Sequence, residues 1–123
     1  MSAHRLPHDL FMAPYETADP GDGVAITPDR WNQSIPLTIT ASTAETNTLA
    51  TPTRPGQKIT LVAASVGSGG SRAVTAATGV NQTGNTVMTF GAVRQMLAIE
   101  SIPIGSGAYR WQIVVNEGSV TLS

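Results

Sequence analysis

Candidate chemistry in this sequence begins with two histidines near the N-terminus. His4 and His8 are four residues apart, a spacing that would place both imidazoles on one face of a helix, where they could bind zinc. Pro7 lies between them and disfavours such a helix, and beyond the nearby Asp9 no third ligand is evident. We therefore predict two exposed histidines and no metal site.

Aspartates and glycines are mixed in the next segment, where Asp19, Asp22 and Asp29 accompany Gly21 and Gly23. Calcium-binding loops also combine Asp with Gly. An EF-hand, however, needs alternating ligands and a final Glu, which this segment does not have. The pattern favours turns built on Asp and Gly, and we predict no cofactor.

Serine and glutamate residues provide no better catalytic pattern. Ser68 and Ser106 lie between glycines but lack the Gly-x-Ser-x-Gly setting of a nucleophile, and both histidines lie near the N-terminus. Glu45, Glu100 and Glu117 could pair as glycosidase carboxylates, yet no apolar pocket that would raise the pKa of one of them is indicated. We predict a protein without enzymatic activity.

The composition favours a protein that acts through contact surfaces. Only 12% of the residues are charged, the net charge is −1, and Lys58 is the single lysine. Nucleic-acid binding needs clustered cations, so a nucleic-acid partner is not expected. There is no cysteine, no apolar run near the roughly 20 residues of a membrane helix, and no signal-peptide pattern, so we expect no membrane partner either.

Residues 1–34 differ from the rest of the chain. They contain half of the prolines and most of the acidic residues, and proline disfavours both helix and central strand. Large apolar side chains are nevertheless more frequent here than in a free disordered tail. We predict an extended N-terminal arm that is held on its own domain, residues 35–123, or on a neighbouring copy. The predicted contact residues of the arm are Leu6, Leu10, Phe11, Tyr15 and Trp31.

Residues 35–123 alternate between short β patterns and turns rich in glycine. Apolar residues recur at every second position in several segments, and in 109–115 the predicted buried side carries Tyr109, Trp111, Ile113 and Val115. Pro36 indicates an edge or the start of a strand. Roughly seven or eight strands at this spacing predict an all-β fold, an antiparallel β-sandwich or barrel that is jelly-roll-like. Trp111 is predicted to lie in its core.

Several turn-rich segments together resemble a known family. They are residues 44–49, 52–57, 81–86 with 89–90, and Trp111 with 116–123. This set resembles the capsid decoration (cement) proteins of tailed bacteriophages. The resemblance implies a β-rich homotrimer on the outer surface of the capsid, part of the virion, where it binds the major capsid protein and bridges capsomers. It implies no active site and no cofactor.

Two other virion roles are compatible with the same pattern. One is a receptor- or glycan-binding fibre or spike module, which would expose aromatic residues at loop tips. Tyr109 and Trp111 are the plausible candidates, but their alternation predicts burial. The other is a head–tail connector or tail component, which would be scarce in the particle, whereas a decoration protein would be abundant.

Overall fold

The computed structural model describes residues 15–123, so the two histidines and the predicted contact residues Leu6, Leu10 and Phe11 lie outside the described residues. Nine strands occur in this range: β1 Tyr15–Glu16, β2 Asn32–Ile39, β3 Ala44–Leu49, β4 Lys58–Val66, β5 Ser71–Ala76, β6 Val87–Phe90, β7 Met96–Gly105, β8 Ala108–Glu117 and β9 Thr121–Leu122. They form a five-stranded sheet, in the order β1-β2-β4-β7-β8, and a four-stranded sheet, in the order β3-β5-β6-β9. The predicted all-β sandwich is confirmed. No helix among the described residues is long and apolar enough to cross a membrane.

Both sheets are mixed, so the prediction of an antiparallel, jelly-roll-like arrangement is wrong. The pairs β1–β2, β2–β4 and β3–β5 are parallel, whereas β4–β7, β5–β6, β6–β9 and β7–β8 are antiparallel. The pairs β2–β4 and β3–β5 arise because the chain changes sheet at every step from β2 to β5. When the chain comes back to a sheet, the new strand lies beside the previous strand of that sheet and runs in the same direction, as in a crossover connection.

The core lies between the sheets and is filled by alternate residues of the central strands. Burying each Leu or Ile side chain contributes roughly 1.5–3 kcal/mol, and this alternation sets which face of each strand is inside. Trp111 of β8 is 1% exposed, and its indole Nε1 donates to the Ala50 carbonyl at 2.8 Å, which confirms the prediction that it is a core residue. The buried aliphatic residues of β2, β4 and β7 are Ile35, Leu37, Ile39, Ile59, Leu61, Ala63, Leu97 and Ile99.

Pro36 lies inside β2 at a point where the neighbouring strand β1 has already ended. The Ser34 carbonyl accepts from the Thr17 N–H at 2.9 Å, and the Thr38 N–H donates to the Asp19 carboxylate at 2.9 Å. Alternate residues of a strand direct their backbone groups to the same side. The nitrogen of Pro36 therefore faces the side of β2 on which β1, Thr17 and Asp19 lie. No ladder hydrogen bond is lost there, which explains how a strand with a second neighbour, β4, accepts the proline.

A β-bulge in β8 changes the side to which its last residues point. Ile99 of β7 pairs with Ile113, but the next pair is Ala98 with Val115, so Val114 is the extra residue. Val115 therefore lies on the outer face, 38% exposed, beside Val114 at 61%. The predicted burial of Val115 is wrong, because one inserted residue shifts a two-residue alternation by half a period.

Candidate contact surface

Residues 15–31 lie along the sandwich. They include Tyr15 and Trp31, the two predicted contact residues that fall within the described part of the chain. β1 pairs with the start of β2, and Thr17 continues the contact. The segment then reaches the edge strand β3, to which the N–H groups of Gly23 and Ile26 donate at 2.7 Å each. This pairing covers an edge that would otherwise be open to other chains. The described part of the arm is thus held on its own domain.

Arg72 of β5 holds the arm from inside the sandwich. Its side chain is 1% exposed, and its two Nη atoms bind the two carboxylate oxygens of Asp19 at 2.8 and 3.1 Å. The same guanidinium donates to Glu45 at 2.9 Å, to Asn47 at 3.0 Å and to the Thr38 carbonyl at 3.1 Å. We call these five residues the Arg72 cluster. The paired contact with Asp19 has the two-pronged geometry that makes arginine–carboxylate hydrogen bonds strong.

The pKa values in the Arg72 cluster result from opposing effects. Burial by itself raises the pKa of Asp19 and of Glu45, but hydrogen bonds from Arg72 and from the backbone of Thr38 and Thr40 outweigh it. Both carboxyl pKa values are therefore held below their ordinary range. Burial lowers the pKa of Arg72, yet its two carboxylate partners raise it overall. All three groups stay charged at neutral pH, which suits a structural link and not proton transfer.

Two of the three aspartates that were candidates for calcium binding accept hydrogen bonds within the protein, whereas Asp29 is exposed beside Arg30. Asp19 accepts from Arg72 and from the Gly21 N–H at 2.9 Å, and Asp22 accepts from the Thr46 N–H at 2.9 Å. Within residues 15–123, no three His, Cys, Asp or Glu side chains are grouped so that they could bind a metal ion. These aspartates organise the arm's turns.

The candidate catalytic residues are not brought together either. Glu45 lies in β3 of one sheet, whereas Glu100 and Glu117 lie in β7 and β8 of the other. Glu100 is opposite Lys58 on the outer face of its sheet. Ser106 occupies the turn between β7 and β8, where its φ is 54°. Within the described part of the chain, the three glutamates therefore do not form the carboxylate pair of a glycosidase.

Two exposed aromatic rings near the start of β2 each carry a stacked arginine. The guanidinium carbon of Arg30 lies 4.0 Å from the centre of the Tyr15 ring, and that of Arg54 lies 4.5 Å from the centre of the Trp31 ring. Both distances are within the roughly 6 Å of a cation–π interaction. Tyr15 is 51% exposed and Trp31 is 40% exposed. We call these four residues, with Asp29, the aromatic–arginine surface.

Two buried glutamines hold the loop that carries Asp29, Arg30 and Trp31 of this surface. The Gln33 Oε1 accepts from the N–H groups of Asp29 and Arg30 at 2.9 and 3.0 Å, and the Gln57 Nε2 donates to the Arg30 carbonyl at 2.9 Å. The Lys58 N–H donates to the Trp31 carbonyl at 2.8 Å. The backbone of the loop is therefore fixed from below, so little order has to be gained when a partner binds.

Sequence reasoning missed the two glutamines and the two stacked arginines. Gln33 is in phase with Ile35, and Gln57 with Ile59, so the alternation does place a polar residue on the core side of each strand. That is the signal that could have identified the glutamines, because a buried amide needs partners. Nothing comparable marks the arginines, since their stacking depends on which loops meet.

The outer face of the five-stranded sheet adjoins the aromatic–arginine surface. It contains a groove of about 500 Å³ that begins at Asn32, the residue after Trp31, and ends at the bulged Val114. Lys58 and Glu100 are the charged residues of this groove, and they face each other across β4 and β7. The other outward-facing lining side chains are small and neutral: Ser34, Thr60 and Ala98. The groove beside the aromatic rings is thus lined mainly by neutral side chains.

Comparison with known proteins assigns no family to this chain. No protein-family model matches it, and no curated protein matches it at a significant level. Function must therefore be inferred from the geometry and from the sequence resemblance. The geometry is that of a contact surface, in which two exposed aromatic rings each carry a stacked arginine and buried glutamines hold the backbone of Asp29 and Arg30 in place.

Proposed function

We propose that this protein is a capsid decoration (cement) protein of a tailed bacteriophage, which binds the outer surface of the assembled head and bridges capsomers. The observation that carries the proposal is the aromatic–arginine surface. Trp, Tyr and Arg are the residue types that most often dominate the binding energy of protein interfaces. Here the exposed rings of Tyr15 in β1 and of Trp31 before β2 each carry an arginine, Arg30 and Arg54, and the backbone of residues 29–31 is held by buried glutamines. The resemblance of several turn-rich segments to decoration proteins supports the same role.

The proposed partners are the major capsid protein and two further copies of this chain, without a cofactor. A protein that binds the assembled shell but not its separate subunits stabilises the shell by mass action. A homotrimer would present three contact surfaces, and binding of the first raises the effective concentration of the others. Leu6, Leu10 and Phe11 remain predicted arm contacts beside Tyr15 and Trp31.

Co-sedimentation with empty, expanded phage heads tests this function. We expect the wild-type protein to pellet with the heads at a saturating ratio and to sediment alone as a trimer. Trp31→Ala should weaken binding at least about tenfold, since hot-spot residues contribute 2 kcal/mol or more. Val93→Ala is the matched control, because Val93 is 54% exposed but lies between β6 and β7. A monomer that does not bind heads would refute the proposal.

The glycan-binding alternative has some support from exposed aromatic residues, although not from those predicted. Trp111 is buried, whereas Trp31 and Tyr15 are accessible and could stack on a sugar. Protein copy number in purified virions separates the alternatives. We expect this chain among the most abundant bands on a gel, and a scarce band together with saturable glycan binding would favour a fibre or spike module. A scarce band without glycan binding would favour a connector or tail component.

A further inference from the structure

We propose that residues 10–12 of this chain bind in the groove on the outer face of its own five-stranded sheet, with the side chains of Leu10 and Phe11 packed on the groove floor. The proposal goes beyond the decoration role, because it assigns an intramolecular partner to the groove in the isolated protein. It can therefore be tested without a phage head.

The groove runs across the strands of the sheet. Asn32 and Ser34 of β2 line one end. Thr60 of β4 and Ala98 of β7 form the middle, and Val114 of β8 lies at the other end. Thr60 is opposite Ser34 on one side and Ala98 on the other. Neighbouring strands are about 4.8 Å apart, so the groove crosses three strand spacings, roughly 14 Å, and about four or five extended residues would cover it.

The chain enters β1 beside the first end of this groove. Tyr15 pairs with Gln33, which lies between the two β2 residues of the groove, and β1 is parallel to β2. An extended chain advances by at most about 3.5 Å per residue, so Phe11 can lie up to about 14 Å from Tyr15 and Leu10 up to about 17 Å. These distances reach β4 and β7, the second and third strands from β1.

Exposed apolar side chains lie at both ends of the groove. Val114 and Val115 are exposed at the β8 end, and Tyr15 and Trp31 are exposed at the β2 end. These four are the majority of the seven large apolar side chains that are exposed within residues 15–123. Apolar surface that collects along one face of a soluble domain marks a place where another segment packs.

The size and chemistry of the groove suit a short apolar segment. Its volume of about 500 Å³ is in the range of clefts that bury a drug-sized ligand, which is also the size of two large side chains. Leu10, Phe11 and Met12 are three consecutive large apolar residues. The groove carries one cation, Lys58, and one anion, Glu100, so its charge neither attracts nor repels such a segment.

A segment of the same chain is favoured over one from a second copy in solution. Tyr15 holds the end of the segment beside the groove, so the effective concentration of residues 10–12 there is in the range of about 1 mM that short flexible linkers give. A separate molecule reaches such a concentration only in a very concentrated solution. The protection that follows should therefore not depend on the protein concentration.

Limited proteolysis with chymotrypsin tests the inference. Cleavage within residues 10–12, identified by the mass of the shortened chain, should be at least about tenfold slower in the full chain than in a synthetic peptide of residues 4–18, because cleavage follows the population of the open segment. Ala98→Arg fills the groove and should bring the rate close to that of the peptide. Ala64→Arg makes the same change at an exposed position of β4 outside the groove, and it should leave the rate unchanged.

An engineered disulfide identifies the copy that supplies the segment. The chain contains no cysteine, so a variant with Met12→Cys and Thr60→Cys has only these two thiols. Met12 is three residues from Tyr15 and can reach β4, two strand spacings away. We expect a disulfide within one chain, seen as a monomer on a non-reducing gel with the mass of the oxidised form. Adding Ala98→Arg should prevent it, whereas adding Ala64→Arg should not.

Three results would each overturn the inference: cleavage as fast as in the peptide, equal effects of Ala98→Arg and Ala64→Arg, or disulfide-linked dimers in place of the intramolecular bond. If Ala98→Arg lacks the near-ultraviolet signal of the folded protein, Thr60→Arg replaces it. These measurements do not involve heads. A wild type that binds heads while residues 10–12 are cleaved at the peptide rate would refute the inference and leave the proposed function standing, and a protected segment in a protein that ignores heads would do the opposite.

Discussion

Replacing Arg72 by methionine should strongly destabilise this protein at neutral pH. Methionine fills a similar volume but carries no charge. The variant therefore leaves the carboxylates of Asp19 and Glu45 largely buried without the cation that pairs with them. Removing one partner of a buried ion pair typically costs about 3–5 kcal/mol. Asp19 is also the contact through which the arm enters the sandwich. Domains of this kind have a total unfolding free energy of about 5–15 kcal/mol, so the loss is a large share of it.

The effect should depend on pH in a direction that identifies the carboxylates. In the wild type, the folded-state pKa values of Asp19 and Glu45 lie below their unfolded values. Their contribution is therefore fully present above the unfolded values, near pH 4, and is lost as the pH falls through the folded ones. In Arg72→Met the burial of both carboxyls and the hydrogen bonds from Gly21, Thr38 and Thr40 remain, but the lowering by Arg72 is lost, so both folded pKa values rise above those of the wild type. That variant should therefore lose less stability on acidification than the wild type, and the difference between the two should shrink as the pH falls from 7 to about 3.

Urea unfolding at a series of pH values, followed by the near-ultraviolet signal of Trp111, measures both quantities. A variant that combines Arg72→Met with Asp19→Asn and Glu45→Gln removes all three charges and should recover part of the lost stability at pH 7. Arg94→Gln, an exposed arginine, is the control and should change stability by less than about 0.5 kcal/mol. A cost below about 1 kcal/mol, or a cost that is the same at pH 7 and at about pH 3, would show that the Arg72 cluster does not act as described.

Two further predictions concern packing. Gly70→Ala should lower the free energy of unfolding by about 1–3 kcal/mol, because a Cβ there would overlap the Thr40 carbonyl. Gly91→Ala, whose Cβ would meet nothing within 4 Å, should be neutral or slightly stabilising. Thermal unfolding compares the two variants, and equal melting temperatures would contradict the packing described. Ile113→Thr should lower the free energy of unfolding by about 1–2 kcal/mol, because Ile113 packs against the core. Val115→Thr should change it by less than about 0.5 kcal/mol, because the β8 bulge places Val115 on the outer face. The reverse order in urea unfolding would contradict the position of the bulge.

Local patterns in the sequence were sufficient to predict the strands and much of the core. Ile35, Leu37 and Ile39 alternate along β2, and Trp111 lies in a strand of the same type, so burial follows from a two-residue repeat. Where the repeat is interrupted, the prediction was wrong. Val115 follows an inserted residue, and no local signal marks an insertion before the partner strand is known.

Contacts between distant segments could not be predicted in the same way. Arg72 and Asp19 are 53 residues apart and meet because β5 and the arm pack on the same end of the sandwich. Trp31 and Arg54 belong to two loops that lie together because β2 and β4 are parallel neighbours. Of the candidate surface, Tyr15 and Trp31 were named from the sequence, where their contact role stays a prediction, whereas the arginines and glutamines became visible only in the structure.

By itself, the sequence determined that this chain forms short strands, where they lie, and which of their faces are apolar, because side chains of a strand alternate whatever the strand pairs with. The tertiary structure alone decided that the sheets are mixed, that Val115 faces outward, and that Arg30 and Arg54 stack on Tyr15 and Trp31. These features depend on which strands become neighbours. That choice is made by the packing of the whole core, which no local run of residues contains.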